Sequence, residues 1–259
     1  MNTLAVIPAR FGSTRFPGKP LADKTGKPLI QHVVEQVRRA RTIGRIIVAT
    51  DDQRILDAVK AFGGEAMMTR DDHPNGTCRI AEVVEKLGRV AVVGGNPEIV
   101  VNVQGDEPDI EPAVIDQLVA GLEADPDAPM ATLASPFADD EDPANPNIVK
   151  LVTAKVNGRL RAMYFSRALI PFDRDAHLKS HISHLKYLKH PGLYAYRRNF
   201  LLHYVTLPPT PLEDAEKLEQ LRALEHGHAI AVILTTTRHH GIDTPEQYEA
   251  FVRRQKHHA

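Results

Sequence analysis

Three cations, Arg10, Arg15 and Lys19, fall in one short stretch with Gly12, Ser13, Thr14 and Gly18 between them. Small residues let backbone N–H groups approach phosphate oxygens and the cations neutralise them, so the stretch reads as a polyphosphate cradle. It is not a Walker loop. Five residues separate Gly12 from Gly18, one more than that pattern has; Pro17 removes a donor, and Pro20 stands where a Ser or Thr should follow Lys19. Far along the chain, Asp106 closes VNVQGD and Asp243 lies in GIDTPEQ. Two carboxylates beside a triphosphate would hold Mg²⁺, a hard ion that prefers carboxylate and phosphate oxygen. Taken singly, Asp106 is a turn residue and Asp243 a residue beside a helix cap; the basic stretch draws both toward function. A second polar loop, His73 to Arg79, offers Asn75 to a base edge, Gly76 for close approach, and Arg79 either to a phosphate or to packing across the sheet edge. Cys78 has no second Cys and no paired base, and reads as structural.

These residues need elements to position them. Leu4 to Ile7 is long enough for one buried strand and runs straight into the basic loop. Pro28 to Arg41 carries Leu29, Ile30, Val33, Val34 and Val37 at helical spacing. Arg45 to Thr50 is a β-branched run suited to a strand buried on both faces, with Asp51 in the N-cap position of the next helix. A weaker strand follows at Glu65 to Thr69, then a helix from Thr77 to Leu87, a strand from Glu98 to Gln104, a helix from Pro112 to Glu123 and a strand from Met130 to Ala134. This alternation means βαβ units and a mostly parallel sheet, with ligands at the carboxyl ends of its strands. Past residue 136 the texture changes. Ile148 to Val156 and Arg159 to Phe165 flank Asn157-Gly158, a strong hairpin signal, so an antiparallel insertion is expected within an α/β fold. Glu213 to Glu225 reads as one helix and Ala229 to Thr235 as a return to the sheet. Thr244-Pro245-Glu246-Gln247 is a capping box that opens the last helix, with the tail QKHHA frayed.

The 259 residues carry a net charge of −1, with 42% hydrophobic and 25% charged residues, as in ordinary globular proteins. That balance speaks against a nucleic-acid or membrane surface as the main partner. One cysteine excludes an intrachain disulfide, and the opening strand is no signal peptide; a cytoplasmic protein is expected.

The segments IPARFGSTRFPGKPL, IVATDD, HPNGTCRIAE, VNVQGDEP, NPNIVKLV, YFSRALIPFDRD, HPGLYAYR, LEQLR and GIDTPEQYE occur in order across nearly the whole chain. Through them it resembles the CMP-sugar synthetases that activate 3-deoxy-manno-octulosonate (KDO), departing at Asn75 and Cys78. The resemblance implies a single nucleotidyltransferase domain over 1–259, α/β and Rossmann-like, with an inserted sugar-binding and dimerisation region at about 136–212. It implies a homodimer that uses Mg²⁺ to transfer CMP from CTP to an acidic ulosonic sugar. It places Ala9, Arg10, Ser13, Lys19, His73, Asn75, Gly76, Arg79 and Gln104 around CTP, with Arg10, Lys19 and Asp106 catalytic. Asp106 and Asp243 match metal ligands. Gln104, Arg167, His190, Tyr194, Glu219 and Gln220 match the sugar pocket, where the fork of Arg167 suits a carboxylate.

The nearest rival is a cytidylyltransferase for 8-amino-KDO or a nonulosonic acid. A P-loop kinase is opposed by the loop spacing, a nucleotide-binding regulator by the retained Asp106 and Asp243, and a Rossmann dehydrogenase by the lack of GxGxxG after the first strand.

Overall fold

The computed structural model describes residues 2–12, 15–88, 95–172, 174, 187–237 and 241–258. Along the chain run β1 (Thr3–Ala9), α1 (Leu29–Arg38), β2 (Arg45–Thr50), α2 (Gln53–Ala61), β3 (Ala66–Met68), α3 (Gly76–Gly88), β4 (Ile99–Asn102), α4 (Pro112–Ala124) and β5 (Met130–Pro136). They are followed by β6 (Lys150–Val156), β7 (Arg159–Ser166), β8 (Leu188–Lys189), β9 (Tyr194–Arg197), α5 (Arg198–Tyr204), α6 (Pro211–Glu216), α7 (Gln220–Glu225), β10 (Ile230–Leu234) and α8 (Pro245–His258). The chain divides into two compact units, Met1–Asp116 with Arg197–Val205 and His239–Ala259, and Gln117–Tyr196 with Thr206–Arg238. No helix among the described residues is long and apolar enough to cross a membrane.

In the first unit β1 lies between β4 and β2, with β3 beyond β2, all parallel. The apolar runs of β1, β2 and β4 are buried on both faces, as their continuous apolar composition predicts. α1 turns Leu29, Ile30, Val33, Val34 and Val37 inward, each contributing roughly 2 kcal/mol by burial. α8 starts at the expected box: the Gln247 side chain accepts from Thr244 N–H at 3.0 Å. Its Tyr248, Phe251 and Val252 pack with Leu29 and Ile242. Two expectations change. The cap of α2 is Asp52, whose carboxylate accepts from Arg54 N–H, and not Asp51. The C-terminal tail continues α8 as far as His258.

In the second unit β6 and β7 form the expected hairpin, with Asn157 at φ 50° and Gly158 at φ 81°, the paired left-handed conformations a tight two-residue turn needs. A register shift leaves Met163 unpaired as a bulge, 61% exposed. β5 pairs with β10 in parallel and with β8 and β9 antiparallel, while β10 meets β7 and β6 meets β8, so five strands close into a ring. The expected single helix from Glu213 to Glu225 is two, α6 and α7, broken at Lys217 in the left-handed region (φ 53°). The apolar spacing was helical, but the carbonyls freed at the break have a partner outside the helix, Arg167.

Candidate active site

The basic loop is closed by a hydrogen bond from Gly18 N–H to Phe11 O at 3.0 Å. Gly18 sits at φ 72°, and a Cβ there would come within 3.1 Å of the Phe11 ring. On that ring lies the Arg54 guanidinium, 3.4 Å from its centroid. Ala9 is buried at the end of β1 and Arg10 is exposed; Ser13 lies outside the described residues.

Lys19 then turns inward, its side chain 12% exposed. Its ammonium donates to Asp106 Oδ2 at 2.8 Å, to Ile242 O at 2.7 Å and toward Asp243 Oδ1 at 3.4 Å. Arg15 Nη2 stands 3.1 Å from Asp243 Oδ2. The two acids, distant in sequence, are therefore gathered around one cation. Ile242 N–H donates to Asp106 O at 2.8 Å and ties their backbones together. The Asp106 loop lies tight against β1: a Cβ on Gly105 would stand 2.8 Å from Pro8 O. Gly105→Ala should therefore cost about 1–3 kcal/mol in chemical denaturation and displace Asp106, with unchanged stability as the contrary result.

No cluster of three or more His, Cys, Asp or Glu side chains suited to a metal occurs among the described residues. The acceptors around Lys19 are nevertheless all oxygens, two carboxylates and a carbonyl. That set fits a hard divalent cation whose remaining positions are filled by phosphate oxygens and water.

The second loop rests on the same strand end. Gly76 packs against Pro8, whose ring would make ordinary contact with a Cβ there at 3.4 Å. Asn75 uses its Oδ1 to accept from Cys78 N–H at 2.9 Å, capping α3. His73 bonds to the Glu82 carboxylate, which also accepts from Arg70 N–H at 3.0 Å and pairs with Lys86 at 2.7 Å. Burial would raise the Glu82 carboxyl, but Lys86, His73 and the Arg70 N–H outweigh it and hold it at about 2. A depressed carboxylate of this kind stabilises the fold fully above its ordinary range, and the contribution is lost as pH falls toward 2.

Arg79 is buried and donates to Asp51 at 2.6 Å, to Thr69 Oγ1 and to Arg70 O. Of its two expected roles the structure shows the packing one, and this bond is what takes Asp51 away from the helix cap. Gln104 follows β4, half-buried. Sequence reasoning missed Glu82 and the Asp51–Arg79 pair; only the Glu82–Lys86 spacing was a local signal.

In the second unit the Arg167 guanidinium donates to three carbonyls, Glu216 at 2.8 Å, Pro146 at 3.2 Å and Lys217 at 3.5 Å. Among the described residues that leaves two of its N–H donors for another acceptor. Its backbone N–H donates to Glu216 Oε2 at 2.9 Å, and Ser166 Oγ donates to the other Glu216 oxygen. His190 packs edge-on to Phe165 and lies beside Tyr194. Its Nε2 is 2.8 Å from Thr132 Oγ1, which is 2.7 Å from Leu193 O. The single Thr132 proton goes to that carbonyl, so His190 Nε2 donates and Nδ1 is an acceptor. Burial pushes this imidazole down to about 3, so it is neutral. Gln220 opens α7 directly after Glu219, and its buried Nε2 has no hydrogen-bond partner among the described residues.

A sequence profile of the Cytidylyltransferase family matches residues 4–230. A 3-deoxy-manno-octulosonate cytidylyltransferase of Geobacter sulfurreducens is 50% identical over 99% of this chain and 100% of its own length. That of Syntrophobacter fumaroxidans is 51% identical over 97% and 96%. Among solved structures, a CMP:2-keto-3-deoxy-manno-octonic acid synthetase complexed with CTP superposes with a TM-score of 0.88 at 43% identity, over all of both chains. A 4-diphosphocytidyl-2C-methyl-D-erythritol synthase of Anaerococcus prevotii has a TM-score of 0.60 at 13% identity, over 98% of both chains, a likeness of fold alone.

Proposed function

The chain belongs to the cytidylyltransferase family, and from that premise we propose that it transfers CMP from CTP to the anomeric hydroxyl of KDO. The products are CMP-KDO, a precursor for lipopolysaccharide, and pyrophosphate. Full-length identity to the KDO enzymes supports the substrate, and one observation carries the chemistry: Lys19 gathers Asp106 and Asp243 at the end of the basic loop.

Catalysis here is positioning and charge neutralisation, with the sugar hydroxyl in line with the departing pyrophosphate. Arg10 and Lys19 take up the charge that grows on the leaving group. Ala9, Ser13, His73, Asn75, Gly76 and Gln104 surround the nucleotide, and Arg79 supports them from beneath through Asp51. Asp106 and Asp243 would hold Mg²⁺. A bound Mg²⁺ supplies charge neutralisation and Lewis acidity at the α-phosphate.

In the sugar half, the two remaining N–H donors of Arg167 suit a carboxylate. Neutral His190, with its Nδ1 acceptor, and the Gln220 amide, unpartnered among the described residues, suit hydroxyls, beside Tyr194 and Glu219. The hairpin belongs to an insertion at about 136–212 that also serves a homodimer; exposed Met163 and Val156 are the apolar surface that supports this. The enzyme works in the cytoplasm.

The test is pyrophosphate release from CTP and Mg²⁺ with KDO, 8-amino-KDO and a nonulosonic acid offered in parallel. Release with KDO at the highest kcat/KM is expected. None with KDO would sink the assignment.

A further inference from the structure

Lys150 begins β6 with its side chain wholly buried, and no carboxylate among the described residues hydrogen-bonds to it. Its ammonium donates instead to three backbone carbonyls, Asn145 at 3.0 Å, Ile148 at 2.7 Å and Arg167. An ammonium has three N–H donors, so these carbonyls satisfy it completely. A buried cation without a hydrogen-bonded counter-ion is nevertheless costly, and a methionine would fill similar space at less expense to the fold. Burial, and then the neighbouring charge of Arg167, press its pKa downward against the opposing charges of Glu216 and Asp142.

The three acceptors show what the charge does. Two belong to the turn at residues 145–148, which contains Pro146, whose carbonyl accepts from Arg167 Nη1. The third is the carbonyl of Arg167 itself. The same turn runs on to Val149, whose carbonyl accepts from His190 N–H at 2.9 Å. One ammonium therefore ties together the backbone of Arg167, the turn that steers its guanidinium, and the strand start that carries His190. Around Arg167 the nearby acid is Glu216, and its two oxygens are already held by Ser166 Oγ and Arg167 N–H. Asp142 is the second acid whose charge reaches Lys150, and it accepts from Ala144 N–H at 2.9 Å, so Lys150 and Arg167 bring two positive charges to a corner whose acids are already engaged.

The geometry points to Lys150 as a positioning residue for recognition of the acidic group of the sugar: it fixes Arg167 and sets a second positive charge behind it. This rests on the reading that Arg167 faces the sugar carboxylate.

The experiment is steady-state kinetics on Lys150→Met, Lys150→Gln and Arg167→Ala, with KDO and with KDO whose carboxylate is converted to the neutral amide. Lys150→Met should raise the KM for KDO about tenfold and leave the KM for CTP within about twofold. With the amide, Lys150→Met and the native enzyme should give the same KM, a difference that a merely structural role would not produce. Lys150→Gln keeps donors but loses charge and should show the same carboxylate dependence, more weakly. An unchanged KM for KDO, or an equal rise with acid and amide, would overturn the assignment. Failure of both Lys150 variants to fold, read by circular dichroism, would make Lys150 a folding determinant and overturn it too. If Arg167→Ala leaves the sugar KM untouched, the reading of the pocket fails first; if Arg167→Ala raises it and Lys150→Met does not, only the role of Lys150 falls.

Discussion

Asp243→Asn is expected to lower Mg²⁺-dependent turnover by on the order of a thousandfold, about 4 kcal/mol of transition-state stabilisation, while the protein still folds. The two halves of this expectation have separate grounds. Asp243 is the more exposed of the two acids, at 41% against 28% for Asp106, and its own contacts are the ion pairs to Arg15 and Lys19. Ion pairs this exposed contribute about 0–1 kcal/mol to stability. The cap of α8 uses the Asp243 backbone N–H, which the substitution keeps. Asn also preserves size and one oxygen, so what it removes is charge at the position that would hold the cation. Thermal melting should therefore move little while turnover collapses, and Mn²⁺ binding in the presence of CTP should weaken in step with turnover. Near-normal activity would refute the metal role of Asp243.

Much of the fold was readable because its causes are local. The apolar runs of β1, β2 and β4, the Asn157-Gly158 turn and the box at Thr244 and Gln247 each depend on residues a few positions apart. What was not readable depends on partners far away in sequence. Asp51 and Asp52 are adjacent and both able to cap α2; Arg79, from α3, engages Asp51 and leaves the cap to Asp52. Leu218, Leu221 and Leu224 have helical spacing, yet the chain breaks at Lys217, where the carbonyls of Glu216 and Lys217 meet Arg167 from the end of β7. The site divides in the same way. The basic loop and the acids are visible as types, and strand-end logic predicts their convergence, but the agent of it, the inward turn of Lys19 onto both acids and Ile242 O, follows from the left-handed Gly18 and the packing of Phe11. Lys150 is hidden altogether, because a lysine at a strand start reads as solvated until its three carbonyls are seen.

Lys19→Ala should lower kcat/KM for CTP by roughly a hundred- to a thousandfold and leave the sugar KM near its native value. Charge that develops on departing pyrophosphate is stabilised only by donors already in place, and Lys19 is held in place by Asp106, Asp243 and the Ile242 carbonyl. The same substitution removes the ammonium that separates Asp106 from Asp243. Two carboxylates left facing each other repel, so the free variant should be less stable, by about 1–3 kcal/mol. Mg²⁺ should then raise its melting temperature more than it raises that of the native protein, since only in the variant does the ion replace a missing positive charge. Lys19→Arg should not rescue turnover: a planar guanidinium cannot reproduce three donors diverging from one nitrogen in a site only 12% exposed. A loss confined to the sugar KM, or equal Mg²⁺ stabilisation of both proteins, would count against Lys19 as the residue that serves the leaving group and organises the acids.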